Sequence, residues 1–125
     1  MRTAFRVAGF LLAGFLLAAC GEAPRDPARS MADADPESGR LMMEYYACGS
    51  CHTIPGIRNA DGVVGPPLVF FSRRSLFAGS VPNNADNLVR FLLDPQGMRP
   101  DTAMPDVGAT EPEARDMAAY LYTLE

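Results

Sequence analysis

The stretch Cys48-Gly49-Ser50-Cys51-His52 decides how this chain is read. Two thiols three residues apart, with an imidazole directly after them, form the C-x-x-C-H pattern of covalent haem attachment. Each thiol is spaced to add to one of the two vinyl groups of a haem, and the following imidazole then lies under the iron as an axial ligand. Three other uses of these residues compete. A structural zinc site takes about four ligands, and the chain holds three cysteines and one histidine, with Cys20 accounted for separately below. A thioredoxin-type redox pair belongs to a βαβ pattern, whereas Pro36 to Ala47 reads as a helix running into the motif. A disulfide between Cys48 and Cys51 would close too small a loop to constrain the unfolded chain much, and it would leave the adjacent histidine unexplained.

Upstream of the motif, Asp35 serves as N-cap and Pro36 as the first helical residue. Leu41, Tyr45 and Cys48 recur at helical spacing and mark one face, with Met42, Tyr46 and Gly49 beside them. The helix therefore delivers the cysteine pair at its C-terminal end. Gly39 costs about 1 kcal/mol relative to alanine inside a helix. It marks either a close crossing by another helix or an exposed first turn.

Downstream, Thr53 to Val64 reads as a loop with turns at Pro55-Gly56 and Asp61-Gly62. It leads into Gly65-Pro66-Pro67-Leu68, a stiff run whose prolines have no N–H and whose carbonyls are free to accept. A ligating histidine normally donates its second ring N–H to such an oxygen. Val69 to Gly79 is apolar around Arg73 and Arg74 and is expected to form a short helix. Those arginines either pair with haem propionates through charge-assisted hydrogen bonds or form a solvated surface pair. Phe70, Phe71 and Phe77 are expected to pack in the core or the haem pocket.

Asn83 or Asn84 caps a helix carrying Leu88, Phe91 and Leu92, which stops at Asp94-Pro95. Met104, in Thr102-Ala103-Met104-Pro105, sits in a turn-rich stretch outside any helical stripe, so core packing is a less natural role for it. A thioether opposite His52 would raise the reduction potential of the iron. Met98, between Gly97 and Arg99, is the rival ligand. Thr110-Glu111-Pro112-Glu113 is a capping box, and the helix after it presents Met117, Tyr120, Leu121 and Leu124 on one face.

The order and spacing of these elements, over roughly residues 36 to 125, resemble class I cytochromes c. The resemblance implies an all-α fold. In that fold the N- and C-terminal helices cross, and shorter helices and loops wrap a single haem c held through Cys48 and Cys51. It also implies roles for single residues. Pro66 would accept the His52 proton, Leu68 would pack on the haem, Met104 would be the distal ligand beside His52, and Tyr120 and Leu121 would meet the first helix. One departure is Gly39, which lies nine residues before Cys48 where many members have a glycine eight before the first cysteine. The implied function is a mono-haem carrier of single electrons between redox proteins, working as a monomer and not as an enzyme. The competing functions are a haem enzyme or gas-binding protein with a labile sixth ligand, and a fixed subunit of an oxidase or dehydrogenase.

Residues 1–19 combine a basic start with an apolar run from Val7 to Ala19, too short to span a bilayer comfortably, and are expected to be a signal peptide. Leu17-Ala18-Ala19-Cys20 resembles a bacterial lipoprotein signal, which implies cleavage before Cys20 and lipid on its thiol. The alternatives are an ordinary signal peptide and an uncleaved helical anchor. Residues 20–35, nearly without large apolar side chains, read as a solvated tether. The expected location is periplasm-facing and lipid-anchored. Gly21 after Cys20 points to the outer membrane under the usual sorting rule, whereas respiratory partners sit in the inner one; both placements stay open. All eleven basic residues are arginine, and without Arg2 and Arg6 nine face fifteen carboxylates, a formal charge of −6. That sign excludes nucleic acid as a partner and opposes attraction to anionic lipid headgroups.

Overall fold

Asp35 and Pro36 start the first helix as their chemistry dictates, the Asp35 carboxylate accepting from the Glu37 amide at 2.9 Å. The structure, a computed structural model, describes residues 31–125; the expected leader, Cys20 and the tether up to residue 30 lie outside the described residues. Helix α1 spans Pro36–Tyr45, α2 Ala85–Leu93, α3 Pro95–Met98 and α4 Glu111–Tyr122. The only sheet among the described residues is an antiparallel pair, β1 Leu76–Phe77 and β2 Val81–Pro82, with Leu76 opposite Pro82 and Phe77 opposite Val81. The architecture is the all-α one expected.

Helices α1 and α4 pack across one another, and Gly39 is what lets them. A Cβ at Gly39 would lie 2.8 Å from the Met117 amide nitrogen and closer still to the Asp116 carbonyl. The crossing reading of Gly39 therefore holds, although it stands nine residues from Cys48. The same crossing corrects the expected face of α1. Gly39 and Met43 are buried against α4, while Leu41 and Tyr45 are 46% and 77% exposed. Apolar spacing alone could not choose between two overlapping stripes; the glycine does. Polar bonds reinforce the contact, with the Asp35 amide donating to the Asp116 carboxylate and the Tyr46 hydroxyl to Glu113, both at 2.9 Å. Met31, inside the segment expected to be a solvated tether, is half-buried and packs against the core.

Helix α4 begins with the anticipated capping box, Thr110 and Glu113 bonding reciprocally. It buries Ala114, Met117, Ala118, Ala119, Tyr120 and Leu121. Small residues on this face admit α1, and the larger ones fill the core beside Leu88, Phe91 and Leu92 of α2. Asn84 rather than Asn83 caps α2, accepting from the Asn87 amide at 2.9 Å.

Two elements differ from expectation. Val69–Gly79 is not a helix but a 3₁₀ turn, Phe71–Arg73, followed by the first strand of the hairpin. The backbone is diverted by Phe70 at φ 53°, Ala78 at 43° and Gly79 at 83°, left-handed conformations that cannot continue a helix. Of the three phenylalanines expected to be packed, Phe71 and Phe77 are buried and join Phe91 in the aromatic core, with Phe77 and Phe91 ring centres 5.3 Å apart, edge to face, whereas Phe70 is 55% exposed. The second difference is α3, a further helical turn directly after Asp94-Pro95, where the helix was expected to stop. Asp94 ends α2 and also caps α3, accepting from the Gly97 amide at 2.8 Å, and Pro95 takes the first helical position.

Candidate haem-attachment site

Helix α1 ends with Tyr46, and Ala47, left-handed at φ 53°, turns the chain into the 3₁₀ turn Cys48–Ser50. The Cys48 carbonyl then accepts from the Cys51 and His52 amides at 3.2 and 3.0 Å. Cys48, Cys51 and His52 thus all stand on one tight turn. Both thiols are free and half-buried. Burial pushes the Cys48 thiol up, the reverse of what a reactive dithiol needs.

The imidazole is held at one edge. His52 Nδ1 lies 2.7 Å from the Pro66 carbonyl oxygen. That oxygen can only accept, so Nδ1 carries the proton and Nε2 keeps its lone pair for a metal. Gly65 makes this approach possible, since a Cβ there would lie 2.6 Å from His52 Nδ1. Its amide also donates to the Cys51 carbonyl at 2.8 Å. Gly62 repeats the device one step earlier, where a Cβ would meet the Cys51 nitrogen at 2.6 Å, and its amide donates to Gly49. Sequence reasoning missed both glycines as site residues. Their signal was present: each flanks a loop that must return to lie on a backbone turn.

Leu68 is buried, and its amide donates to the Thr53 carbonyl at 2.8 Å, so the run after Pro66 is strapped to the residue after His52. Arg74 donates from Nη2 to the Pro67 and Val69 carbonyls and lies over the Phe71 ring at 5.5 Å. It braces the Pro66–Pro67 run from outside. Arg73 lies over the ring of the exposed Phe70 at 5.5 Å. Asn83, freed from capping, is a third residue whose role here sequence reasoning missed. Its Nδ2 donates to the Phe71 and Arg74 carbonyls at 3.0 and 2.9 Å, and its Oδ1 accepts from Tyr122 at 2.8 Å. Burial pushes the Tyr122 phenol up to about 12, so it is a donor throughout the neutral range. The adjacent pair Asn83-Asn84 was the available clue, since one cap uses only one of them.

Met104 is half-buried against the core. Its carbonyl accepts from Gln96 Nε2 at 2.8 Å, and its amide donates to Thr102 Oγ1 at 3.3 Å. Met98 ends α3, also half-buried against the core. The structure therefore draws Cys48, Cys51, His52, Pro66 and Leu68 into one hydrogen-bonded unit, braces it with Arg74, and carries Met104 on a separate segment.

The donor set fits a particular kind of group. Among the described residues no three His, Cys, Asp or Glu side chains come together to hold a bare metal ion. Two free thiols and one imidazole with an open Nε2 instead suit a prosthetic group that brings its own metal and is fixed through two carbon–sulfur bonds. A small helical domain arranged this way is a c-type haem protein. Residues 37–125 match the family Cytochrome c, and the chain belongs to that family. Membership implies covalently bound haem c and electron transfer. The chain is also similar to cytochrome c oxidase subunit 2 of Alkalihalophilus pseudofirmus, at 33% identity over 90 residues. That match takes in 70% of this chain and 25% of the relative, so the chain spans about a quarter of the relative's length.

Proposed function

We propose that this chain is a mono-haem cytochrome that carries single electrons between respiratory or dehydrogenase partners, tethered through lipid on Cys20 at a periplasm-facing membrane surface. Haem c bound at this turn supplies a one-electron iron couple. Cys48 and Cys51 fix the group, and His52 presents Nε2 to its metal. Pro66 holds the Nδ1 proton, which sets the ring's orientation and basicity. Leu68 would close the apolar side of the group, Arg74 acts through the run it braces, and Met104 would offer its thioether to the metal. Were both His52 and Met104 to bind the metal, no ligand position would be left for substrate, which argues for carrying electrons over transforming a molecule.

The single observation that carries this reading is the 2.7 Å contact from His52 Nδ1 to Pro66 at the end of the Cys48–Cys51 turn. The test is the ferric absorption spectrum of the haem-loaded protein. A low-spin spectrum with a sulfur-to-iron charge-transfer band, lost in Met104→Ala and kept in Met98→Ala, is expected. A high-spin spectrum would point to an enzyme or gas-binding protein instead, and a charge-transfer band kept in Met104→Ala but lost in Met98→Ala would make Met98 the ligand.

A second reading has one observation in its favour, the similarity to an oxidase subunit 2. In it the same domain serves as a fixed electron entry of an oxidase or dehydrogenase complex. Copurification of an oxidase or dehydrogenase in mild detergent separates the two.

A further inference from the structure

Arg99 reaches from the segment of Met104 to the Leu76–Pro82 hairpin. Its Nη1 donates to Ser80 Oγ at 2.6 Å, while Nε and Nη2 donate to the two carboxylate oxygens of Asp101 at 3.2 and 3.1 Å. The guanidinium lies on the hairpin turn, where a Cβ at Gly79 would stand 3.7 Å from Nη2. The hairpin is a fixed support for it. Phe77 and Val81, opposite one another in the two strands, are both buried, and the Asn83 amide closes the hairpin onto the Ser75 carbonyl at 2.9 Å. The backbone of Arg99 leads the other way. Its amide donates to the Pro95 carbonyl at 2.8 Å at the end of α3, and its carbonyl accepts from the Thr102 amide at 2.9 Å. Thr102 Oγ1 in turn accepts from the Met104 amide at 3.3 Å. The residue that grips the hairpin is therefore two hydrogen bonds away from Met104.

We infer that Arg99 is a positioning residue for the distal ligand, setting through its grip on the Ser80 hydroxyl how firmly Met104 is held at the metal; the inference rests on the reading of Met104 as ligand above. Three observations support it. The ties of Gln96, Thr102 and Asp106 stay within residues 95–109, whereas the Arg99 bond leaves the segment and ends on an element anchored in the core. Asp101 takes Nε and Nη2 together, a two-bond fork that fixes the guanidinium plane and leaves Nη1 directed at Ser80. The Arg99 hydrogen bonds hold the Asp101 carboxyl below the usual carboxylate range, so the fork stays ionised at neutral pH. Finally, the chain contains no lysine, and His52 is its one histidine. No amine or second imidazole side chain competes for a position that Met104 leaves, so added imidazole reports the opening of this segment.

The experiment titrates imidazole into the ferric haem-loaded full chain and follows amide hydrogen exchange in the same samples. Arg99→Leu, which keeps an apolar stem and removes the donors, is expected to bind imidazole roughly fivefold more tightly, about 1 kcal/mol. Its Thr102 and Met104 amides should exchange roughly fivefold faster, with the Gly65 and Leu68 amides unchanged. Ser80→Ala should reproduce the shift, and Ser80→Thr, which keeps the hydroxyl, should not. Arg99→Leu/Ser80→Ala should go no further than Arg99→Leu alone. Unchanged imidazole affinity in Arg99→Leu overturns the inference. So does equally faster exchange at Gly65 and Leu68, which would make Arg99 a general stabiliser of the fold. Additive effects of the two substitutions also overturn it, since Arg99 would then act through a contact other than Ser80. Failure of the parent reading looks different: the unmodified protein would bind imidazole as readily as Met104→Ala, while Arg99→Leu would still quicken exchange at Thr102.

Discussion

The two segments expected to supply the axial ligands are built differently. On the histidine side, residues 48–68 fold back on themselves through backbone bonds, Gly62 to Gly49, Gly65 to Cys51 and Leu68 to Thr53, with glycines where the strands touch. On the methionine side, the backbone bonds of residues 95–109 are local ones that close α3 and the turn from Arg99 to Thr102, and the remaining polar ties are made by side chains. Gln96 holds the Met104 carbonyl and Thr102 its amide, while Arg99 bonds Ser80 at 2.6 Å and pairs with Asp101 at 3.1 Å. Backbone bonds are fixed once the turn forms, whereas exposed side-chain bonds exchange with water at little net cost. The histidine segment is thus the more firmly fastened seat, and the methionine segment is the side expected to open first. The contrast also says where evolution could convert such a domain into a ligand-binding one: by loosening residues 95–109 and leaving the seat alone.

The largest expected effect is on the seat. Replacing both Cys48 and Cys51 by alanine should abolish covalent haem, so that acid–acetone extraction removes all of it; haem retained in the protein fraction would break the assignment. Next is a matched pair of glycine substitutions. Gly65→Ala forces a methyl group into His52 and should cost about 1–3 kcal/mol by overpacking, with a disturbed haem spectrum. Gly108→Ala, in the methionine segment at φ 71° with nothing within 4 Å, should cost about 1–2 kcal/mol from the left-handed backbone alone, with a normal spectrum. Thermal unfolding followed by absorbance separates them, and equal spectral effects would erase the contrast.

These sites differ in how far the sequence revealed them. The attachment turn, its orienting proline, both long helices and their caps were legible because each depends on local chemistry: spacing of thiols, a missing N–H, a carboxylate before a proline. The braces were not. Gly65 and Gly62 matter only because the His52 ring and the Cys51 backbone lie against them, and Arg74 and Asn83 bond carbonyls whose positions the tertiary fold decides. The hairpin at Leu76–Pro82 was missed for a related reason, since its turn uses Ala78 in a left-handed conformation that alanine rarely signals. The buried face of α1 was misjudged until the Gly39 crossing fixed it.

A smaller effect probes the side that opens. Gln96→Leu removes one exposed hydrogen bond to Met104 and should cost about 1 kcal/mol, seen as roughly fivefold easier displacement of the methionine by added imidazole. No change in imidazole affinity would mean that the segment is held by packing instead.

The smallest effect is at the downstream end of that segment, where the capping box pins it to α4. Hydrogen bonds from Thr110 and then Tyr46 hold the Glu113 carboxyl below the usual carboxylate range. A depressed pKa contributes stability that is complete above the ordinary glutamate value of about 4.3 and is lost as pH falls through the folded one. Acid melting curves should therefore be less steep for Glu113→Gln than for the unmodified protein below about pH 4.3. Identical slopes would remove Glu113 from the account.

The most direct test of the central claim is voltammetry of the haem-loaded protein combined with carbon monoxide binding to its ferrous form. A single reversible one-electron wave, unchanged by peroxide, and no carbon monoxide adduct are expected of a haem held between His52 and Met104. A catalytic current with peroxide, or a ferrous protein that binds carbon monoxide readily, would contradict it.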